Sequence, residues 1–490
     1  MATTLASAEA AVVDKVPTGL YIGGQWRDAT GGGTLPVEDP STGQTLTEVA
    51  DATVEDAQAA LASAHETFAT WKHTPPRERA EILRRAFELV MARADELALL
   101  MTLEMGKPVK ESKAEIAYAA NFLRWNSEEA VRIAGRYSHN EQGAGRVLTM
   151  QQPVGPCLFI TPWNFPMAMG TRKIGPAVAA GCTMVVKPAK QTPLSMLALA
   201  AIFEEAGLPA GVLNVVTAKS SGRTMEPLIK DPRTRKLSFT GSTEVGKVLI
   251  AQAADQVLRV SMELGGNAPF LVFADADMDA AIEGAMISKM RNGGEACTSA
   301  NRFHVHESVA EQFAERFAER MGGLKVARGT EEGTDVGPLI DDDQRSKVAE
   351  LVEDARAQGG EIVVGGSKVD GPGYFYAPTV ITGVAPGARM LDEEIFGPVA
   401  PITTFSDDDE AIAAANRTEY GLVAYVYTQD LKRSIRVIEG LETGMVGLNQ
   451  GLVSNAGAPF GGIKQSGFGR EGGPEGIQEY LDTKYVAMNV

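Results

Sequence analysis

The stretch Gly293-Gly294-Glu295-Ala296-Cys297-Thr298-Ser299-Ala300-Asn301-Arg302 holds one of the chain's three cysteines. Its neighbours are small and polar, and the two upstream glycines allow a tight turn or the close approach of a ligand. This is a setting for a thiol held in a cleft, with a lowered pKa and a nucleophile's role. A buried structural cysteine is the commoner fate of the residue type, and the stretch alone leaves both readings open. In Ser261-Met262-Glu263-Leu264-Gly265-Gly266-Asn267 a carboxylate closes an apolar strand. Partial burial would raise Glu263 toward neutrality and suit it to general-base work; a rim glutamate is the plainer alternative. In Thr161-Pro162-Trp163-Asn164-Phe165-Pro166 a turn bracketed by prolines fixes Asn164. A fixed amide N–H is what an oxyanion hole needs, although an asparagine satisfied by its own turn is more common.

The frame for these groups is legible from Val154 to Leu264. Apolar runs at 154–160, 182–187, 212–216, 236–240 and 259–264 alternate with helical stretches such as 195–206 and 242–254. That is the pattern of a nucleotide-binding parallel sheet. A second run follows, with strands at 269–273, 302–306 and 361–364 and helices at 277–290, 308–321 and 343–357. Before the first run, residues 1–20 read as a loose tail and 21–26 as a strand and turn. A helical pattern from Val54 to about Glu104 breaks at Pro75-Pro76. An amphipathic helix over 109–134 follows, with Ile116, Phe122, Leu123 and Val131 recurring at helical intervals. Residues 136–153 read as a protruding hairpin, and 484–490 as a strand that pairs with another segment or another subunit.

Within the first run, Ser238-Phe239-Thr240-Gly241-Ser242-Thr243-Glu244-Val245-Gly246-Lys247 ends a strand and opens a helix. Free N–H groups at such a turn can hold a pyrophosphate. The motif is not a strict GxGxxG, and an ordinary β-to-α turn is the alternative. Lys187, in Val185-Val186-Lys187-Pro188-Ala189-Lys190, stands at a strand's carboxyl end, where side chains reach a cofactor's ribose or phosphate unless it is a plain surface lysine. An acidic residue near this point would bind a ribose 2′-hydroxyl; Lys190 instead favours a 2′-phosphate, and so NADP over NAD.

Composition narrows the classes. The chain has 490 residues, 44% of them hydrophobic, with 46 basic and 63 acidic side chains and a formal net charge of −17. This acidity argues against nucleic acid or an anionic membrane as the main partner. Cys157, Cys182 and Cys297 make neither a paired framework nor a CxxC, and a lone reactive thiol suits a reducing cytoplasm. No apolar run is long enough to span a membrane, and the N-terminus lacks a signal-peptide pattern. His304 and His306 share a strand face, but no metal site is expected.

Six fragments make the reading specific: PWNFP at 162–166, FTGS at 239–242, MELGGNAP at 262–269, CTSANR at 297–302, EIFGPV at 394–399 and PFGGIKQSGFGR at 459–470. Together, and in this order, they resemble the aldehyde dehydrogenase superfamily from about residue 20 to the end. The resemblance implies an α/β fold with a Rossmann-type cofactor domain (1–135 and 154–265), an α/β catalytic domain (266–455) and a small β oligomerisation element (136–153 and 475–490). It implies Cys297 as nucleophile, Glu263 as general base and Asn164 as oxyanion donor. Lys187 and Glu394 would bond the two riboses, and Gly241, Ser242 and Gly246 the pyrophosphate. Thr161, Pro162, Trp163, Ala189, Lys190, Phe239, Leu264 and Phe396 would complete the cofactor site. Relatives usually carry Gln where this chain has Glu295, and several carry a second cysteine where it has Ser299, so a local Cys-x-Cys redox switch is excluded.

Within the superfamily the chain most resembles the NADP-dependent succinate-semialdehyde dehydrogenases. Arg172, Arg291 and Ser454 match the positions that bind the substrate's distal carboxylate there; structural ion pairing is the alternative for the two arginines. The expected reaction is oxidation of succinate semialdehyde or a similar short ω-carboxy aldehyde to the acid, with NADP preferred and NAD the alternative. Glutarate semialdehyde or an uncharged aldehyde would keep the same catalytic residues. A coenzyme A-acylating enzyme would normally lack Glu263. The resemblance further implies a cytoplasmic homo-dimer or homo-tetramer, with no nucleic-acid or membrane partner.

Overall fold

The computed structural model of the protein describes residues 6–489. Its first sheet has eight strands, in the order Gln25–Arg27, Leu20–Ile22, Leu213–Val215, Met184–Lys187, Cys157–Ile160, Lys236–Thr240, Arg259–Glu263 and Gly467–Phe468. The five inner strands, from Leu213–Val215 to Arg259–Glu263, are parallel. Runs such as Cys-Leu-Phe-Ile and Met-Val-Val-Lys are buried at every position, as a sheet covered on both faces requires. The helices Ala168–Ala180, Leu194–Glu205 and Thr243–Ala254 make three of the crossovers. The chain runs outward from Cys157–Ile160 to Leu213–Val215 and then returns to the other side of Cys157–Ile160 with Lys236–Thr240. Strand order therefore reverses between these two neighbours, which opens a crevice at their carboxyl ends. The turn carrying Asn164 leaves one side of this crevice and the turn carrying Gly241 the other.

The second sheet runs Glu361–Val364, Thr379–Thr382, Val399–Phe405, Ala300–His306, Ala268–Val272, Val423–Tyr427 and Met445–Leu448. It is parallel except for the pairing of Glu361–Val364 with Thr379–Thr382. Glu263 ends a strand of the first sheet and Ala268 begins one of the second, so a few residues cross between the sheets beside the crevice. A third sheet joins Arg136–His139 and Arg146–Pro153 to Leu481–Met488. The terminal strand of the sequence reading thus pairs within its own chain.

Two expectations fail locally. Of the residues read as a loose tail, 1–5 lie outside the described residues, and among the rest Ser7–Asp14 is a helix with Val12 and Val13 in the core. Glu9 there accepts from Arg328 at 3.0 Å, and Arg328 also reaches Asp39 at 2.9 Å. The amphipathic helix ends at Glu129, followed by a short 3-10 turn, Ala130–Arg132. Ile116, Phe122 and Leu123 are buried as their spacing implies, but Val131 is exposed on that turn.

Candidate active site

Cys297, Asn164 and Glu263 line one cavity of about 220 Å³. Three local devices bring them together. Gly294 has φ +82°, and a Cβ there would meet the Gly397 carbonyl oxygen at 2.2 Å. Gly266 receives the Cys297 carbonyl where a Cβ would lie 2.7 Å from it. These glycines thus admit other parts of the chain rather than a ligand. Finally, Asn292 in the left-handed region (φ 55°) donates from Nδ2 to the carbonyls of Asn164 at 3.0 Å and Glu295 at 2.9 Å.

The Asn164 turn is held from below. Buried Lys107 donates to the Asn164 carbonyl at 2.7 Å and to Glu115 at 2.5 Å. Glu115 in turn accepts from the backbone N–H groups of Met167 and Ala168. The Asn164 side chain gives one amide N–H to the Glu295 carbonyl at 3.1 Å, which leaves the second N–H for another acceptor. The Cys297 N–H donates to no backbone carbonyl among the described residues. Two N–H groups can therefore receive an oxyanion.

Both carboxyl oxygens of Glu263 are buried without a hydrogen-bond partner among the described residues. Burial pushes the group up to about 7, against the pull of Arg172 and with a further push from Glu471. The thiol corrects the sequence expectation. Burial, and next the Glu263 carboxylate, raise the Cys297 pKa well above its ordinary value, and Arg172 opposes them. The resting thiol is neutral, beside the carboxylate able to take its proton.

Arg172 is buried in an ion pair with Glu471 at 2.7 Å, its guanidinium 4.0 Å from the Phe460 ring centre. Its neighbour Lys173 pairs with the same carboxylate and donates to Thr240 at 2.7 Å. Arg291 and Ser454 line a separate cavity of about 680 Å³, where Arg291 donates to the Ser454 hydroxyl at 3.0 Å. Asn164 lines the first cavity and Phe165 the second, so the two share the wall of the 162–166 turn.

Pro162, Trp163, Gly241, Ser242, Leu264, Glu394 and Phe396 line the Cys297 cavity as well. Glu394 accepts from the Gly266 N–H at 3.1 Å, and burial pushes it up to about 7. Trp163 meets Phe396 edge-on, with ring centres 5.4 Å apart. Ser242 caps the helix Thr243–Ala254 through the Val245 N–H. Gly246 lies in that helix where a Cβ would meet Leu264 at 2.5 Å, and Phe239 is buried over Gly241. Lys190 lies apart, in a cavity of about 360 Å³ that also takes in Lys219, Glu104 and Asp341. Sequence reasoning missed Gln344 and Lys347, which line the Cys297 cavity from the helix Asp342–Ala357. It also missed Lys107, Glu115 and Asn292; the i, i+4 pair Glu111 and Glu115 on a buried helix was the available signal.

A profile of the Aldehyde dehydrogenase family matches residues 26–486. The chain belongs to the aldehyde dehydrogenase family. It is 59% identical over 443 residues to a succinate-semialdehyde dehydrogenase of Paenarthrobacter nicotinovorans, covering 90% of this chain and 98% of the relative. It is 49% identical to a glutarate-semialdehyde dehydrogenase of Pseudomonas putida, over 96% of this chain and 97% of that one. The crystal structure of an E. coli NADP-dependent enzyme superposes with a TM-score of 0.96 at 48% identity, covering 97% and 98% of the two chains. This aldehyde dehydrogenase is therefore an NAD(P)-dependent oxidoreductase with the fold expected from its sequence.

A nicotinamide dinucleotide fits the residues present. Lys187 is buried at the end of its strand and makes no ion pair among the described residues. Burial and the charge of Lys190 push it down to about 8. The Thr161 hydroxyl is buried without a partner among the described residues. An unpaired cation and an unpaired hydroxyl beside the crevice suit a ligand rich in hydroxyl and phosphate oxygens. No group of three or more metal-ligating side chains occurs among the described residues. His304 is bonded to Thr403 at 2.7 Å, and burial pushes it to about 3. No helix of the described residues is long and apolar enough to cross a membrane.

Proposed function

We propose that this aldehyde dehydrogenase oxidises succinate semialdehyde, or a similar short ω-carboxy aldehyde, to the dicarboxylic acid with NADP as the preferred oxidant. One observation carries the substrate reading. Arg291, bonded to Ser454, faces the cavity beside the Cys297 site and makes no ion pair with a carboxylate of the described residues. A guanidinium in this state suits a carboxylate, which it can bind through two N–H groups. Arg172, paired with Glu471, lines neither cavity, and its Nε–H has no acceptor among the described residues.

In the mechanism, Glu263 takes the Cys297 proton and the thiolate adds to the aldehyde carbon. The oxyanion receives the free Asn164 N–H and the Cys297 N–H. A bound nicotinamide would supply the acceptor for the hydride that leaves carbon. Lys187, Glu394 and the turn at Gly241, Ser242 and Gly246 would hold the cofactor, with Lys190 toward a 2′-phosphate. The adduct becomes a thioester on Cys297. Glu263, once deprotonated, takes a proton from water as the oxygen attacks the acyl carbon, and the acid leaves with the thiolate restored.

The three sheets support a reading in which residues 1–135 and 154–265 form a cofactor domain, 266–455 a catalytic domain, and 136–153 with 475–490 an oligomerisation element. The exposed Tyr137 and Tyr485 on the third sheet suit contact with a second copy in a homo-dimer or tetramer working in the cytoplasm. The test is kcat/KM for succinate semialdehyde against butanal, with each cofactor. We expect a ratio of at least about 100 favouring the semialdehyde, higher rates with NADP, and a collapse of the ratio in Arg291→Ala. Equal rates for the two aldehydes would refute the carboxylate reading.

A further inference from the structure

Tyr118 lies on the helix Val109–Glu129, with its ring against Phe122 at 4.9 Å and its hydroxyl buried. No hydrogen bond of good geometry reaches that hydroxyl among the described residues, and the Ser454 hydroxyl is the polar group that lies against it. A buried phenol nearly always finds a partner, so an orphan in a cavity wall marks a place for a ligand's acceptor. Three features surround it. The Arg291 guanidinium carbon stands 5.7 Å from the Tyr118 ring centre, on the same cavity wall as Ser454. The Ser454 oxygen already accepts from Arg291, so its own proton can turn from the neighbouring Tyr118 hydroxyl to a ligand's oxygen. The charges of Arg172 and Arg291 both act on the Tyr118 hydroxyl, which burial keeps protonated. Glu111, on the same cavity, is bonded to the Asn292 N–H at 2.6 Å.

We propose that the Tyr118 hydroxyl donates to the distal carboxylate of the aldehyde, completing with Arg291 and Ser454 a three-donor site for that group. This rests on the ω-carboxy aldehyde reading and makes it more specific. The donors have a division of labour. Arg291 supplies the charge, and the two hydroxyls fix where the carboxylate oxygens sit along the cavity, and hence which chain length brings the aldehyde carbon to Cys297. The phenol is rigid and reaches from a helix, whereas Ser454 reaches from the loop before Phe460. A substrate without the carboxylate leaves the phenol orphaned, which penalises it relative to the semialdehyde.

Tyr118→Phe removes the hydroxyl and keeps the ring. We expect the semialdehyde-to-butanal ratio of kcat/KM to fall about tenfold, with the loss in KM for the semialdehyde rather than in its kcat. Competitive inhibition by succinate should weaken by a similar factor, which reads the carboxylate site without turnover. If Arg291→Ala lowers the ratio and Tyr118→Phe does not, the phenol assignment is overturned and the carboxylate reading stands. If neither variant changes the ratio, both fall. Equal losses on both aldehydes would assign Tyr118 to packing and overturn the proposal.

Discussion

Asn292 and Asn164 are joined by a single bond of 3.0 Å, from the side-chain amide of one to the backbone carbonyl of the other. The same Nδ2 holds the Glu295 carbonyl, so one small side chain ties the turn bearing the oxyanion donor to the loop bearing the thiol. Neither segment is otherwise close in sequence.

Asn292→Asp tests that tie. Aspartate tolerates the left-handed backbone nearly as well but turns an acceptor toward two carbonyls. We expect kcat to fall by about 10- to 100-fold through misalignment of Asn164 and Cys297, with KM moving less than about threefold. A kcat close to the parent's would show that Lys107, Glu115 and the bond from the Asn164 side chain to the Glu295 carbonyl hold the two segments without Asn292.

Glu263 sets the pH profile. Its carboxyl is pushed up to about 7, first by burial, and only the deprotonated form can activate water. Turnover should therefore climb with pH through about 7 and level off above it. Glu263→Gln should remove that limb, lower steady-state turnover by about 10²- to 10⁴-fold and leave a burst of reduced cofactor as the thioester accumulates. A Gln variant that kept the rising limb would point to another base.

Glu295 affects stability. Burial holds its carboxyl well above the usual range, and the nearby Asp341 charge adds to this, while the Ile340 N–H bond opposes. The folded protein keeps a proton that the unfolded chain releases above about pH 4.3. Its contribution to stability is full below that pH, declines as pH rises toward the folded-state value, and is lost above it. Glu295→Gln keeps an acceptor for Ile340 and needs no proton. The variant should gain more in Tm at pH 8 than at pH 5, by about 2 °C or more, in thermal melts. An equal shift at both would mean that Glu295 is ionised in place.

The inner parallel strands were legible because they are short, largely apolar runs: Cys157–Ile160 and Met184–Lys187 fall within the runs at 154–160 and 182–187. Cys297, Glu263, Asn164 and Arg291 were legible from motifs. What stayed hidden depends on distance along the chain. The helix Ser7–Asp14 is stabilised by Glu9 meeting Arg328, 319 positions away, and its short Ala-rich run shows little helical period. The direction of the thiol's pKa was misread because its neighbours in sequence are small and polar, whereas Glu263 arrives from another sheet. Arg172 was expected to bind the substrate's distal carboxylate, with an ion pair as the alternative, and its partner Glu471 could not be read because it lies about 300 positions along the chain.

The third sheet sets an order of events during synthesis. Thr483 pairs with Gln151 across 332 positions, so the outer strand of this sheet leaves the ribosome long after the strand it covers. At about 5–20 residues per second, the edge of Arg146–Pro153 waits for roughly 17–66 s. During that time its free N–H and C=O groups can pair with any other nascent strand. Arg136–His139 covers the other edge immediately, halving the exposed template until Leu481–Met488 seals it.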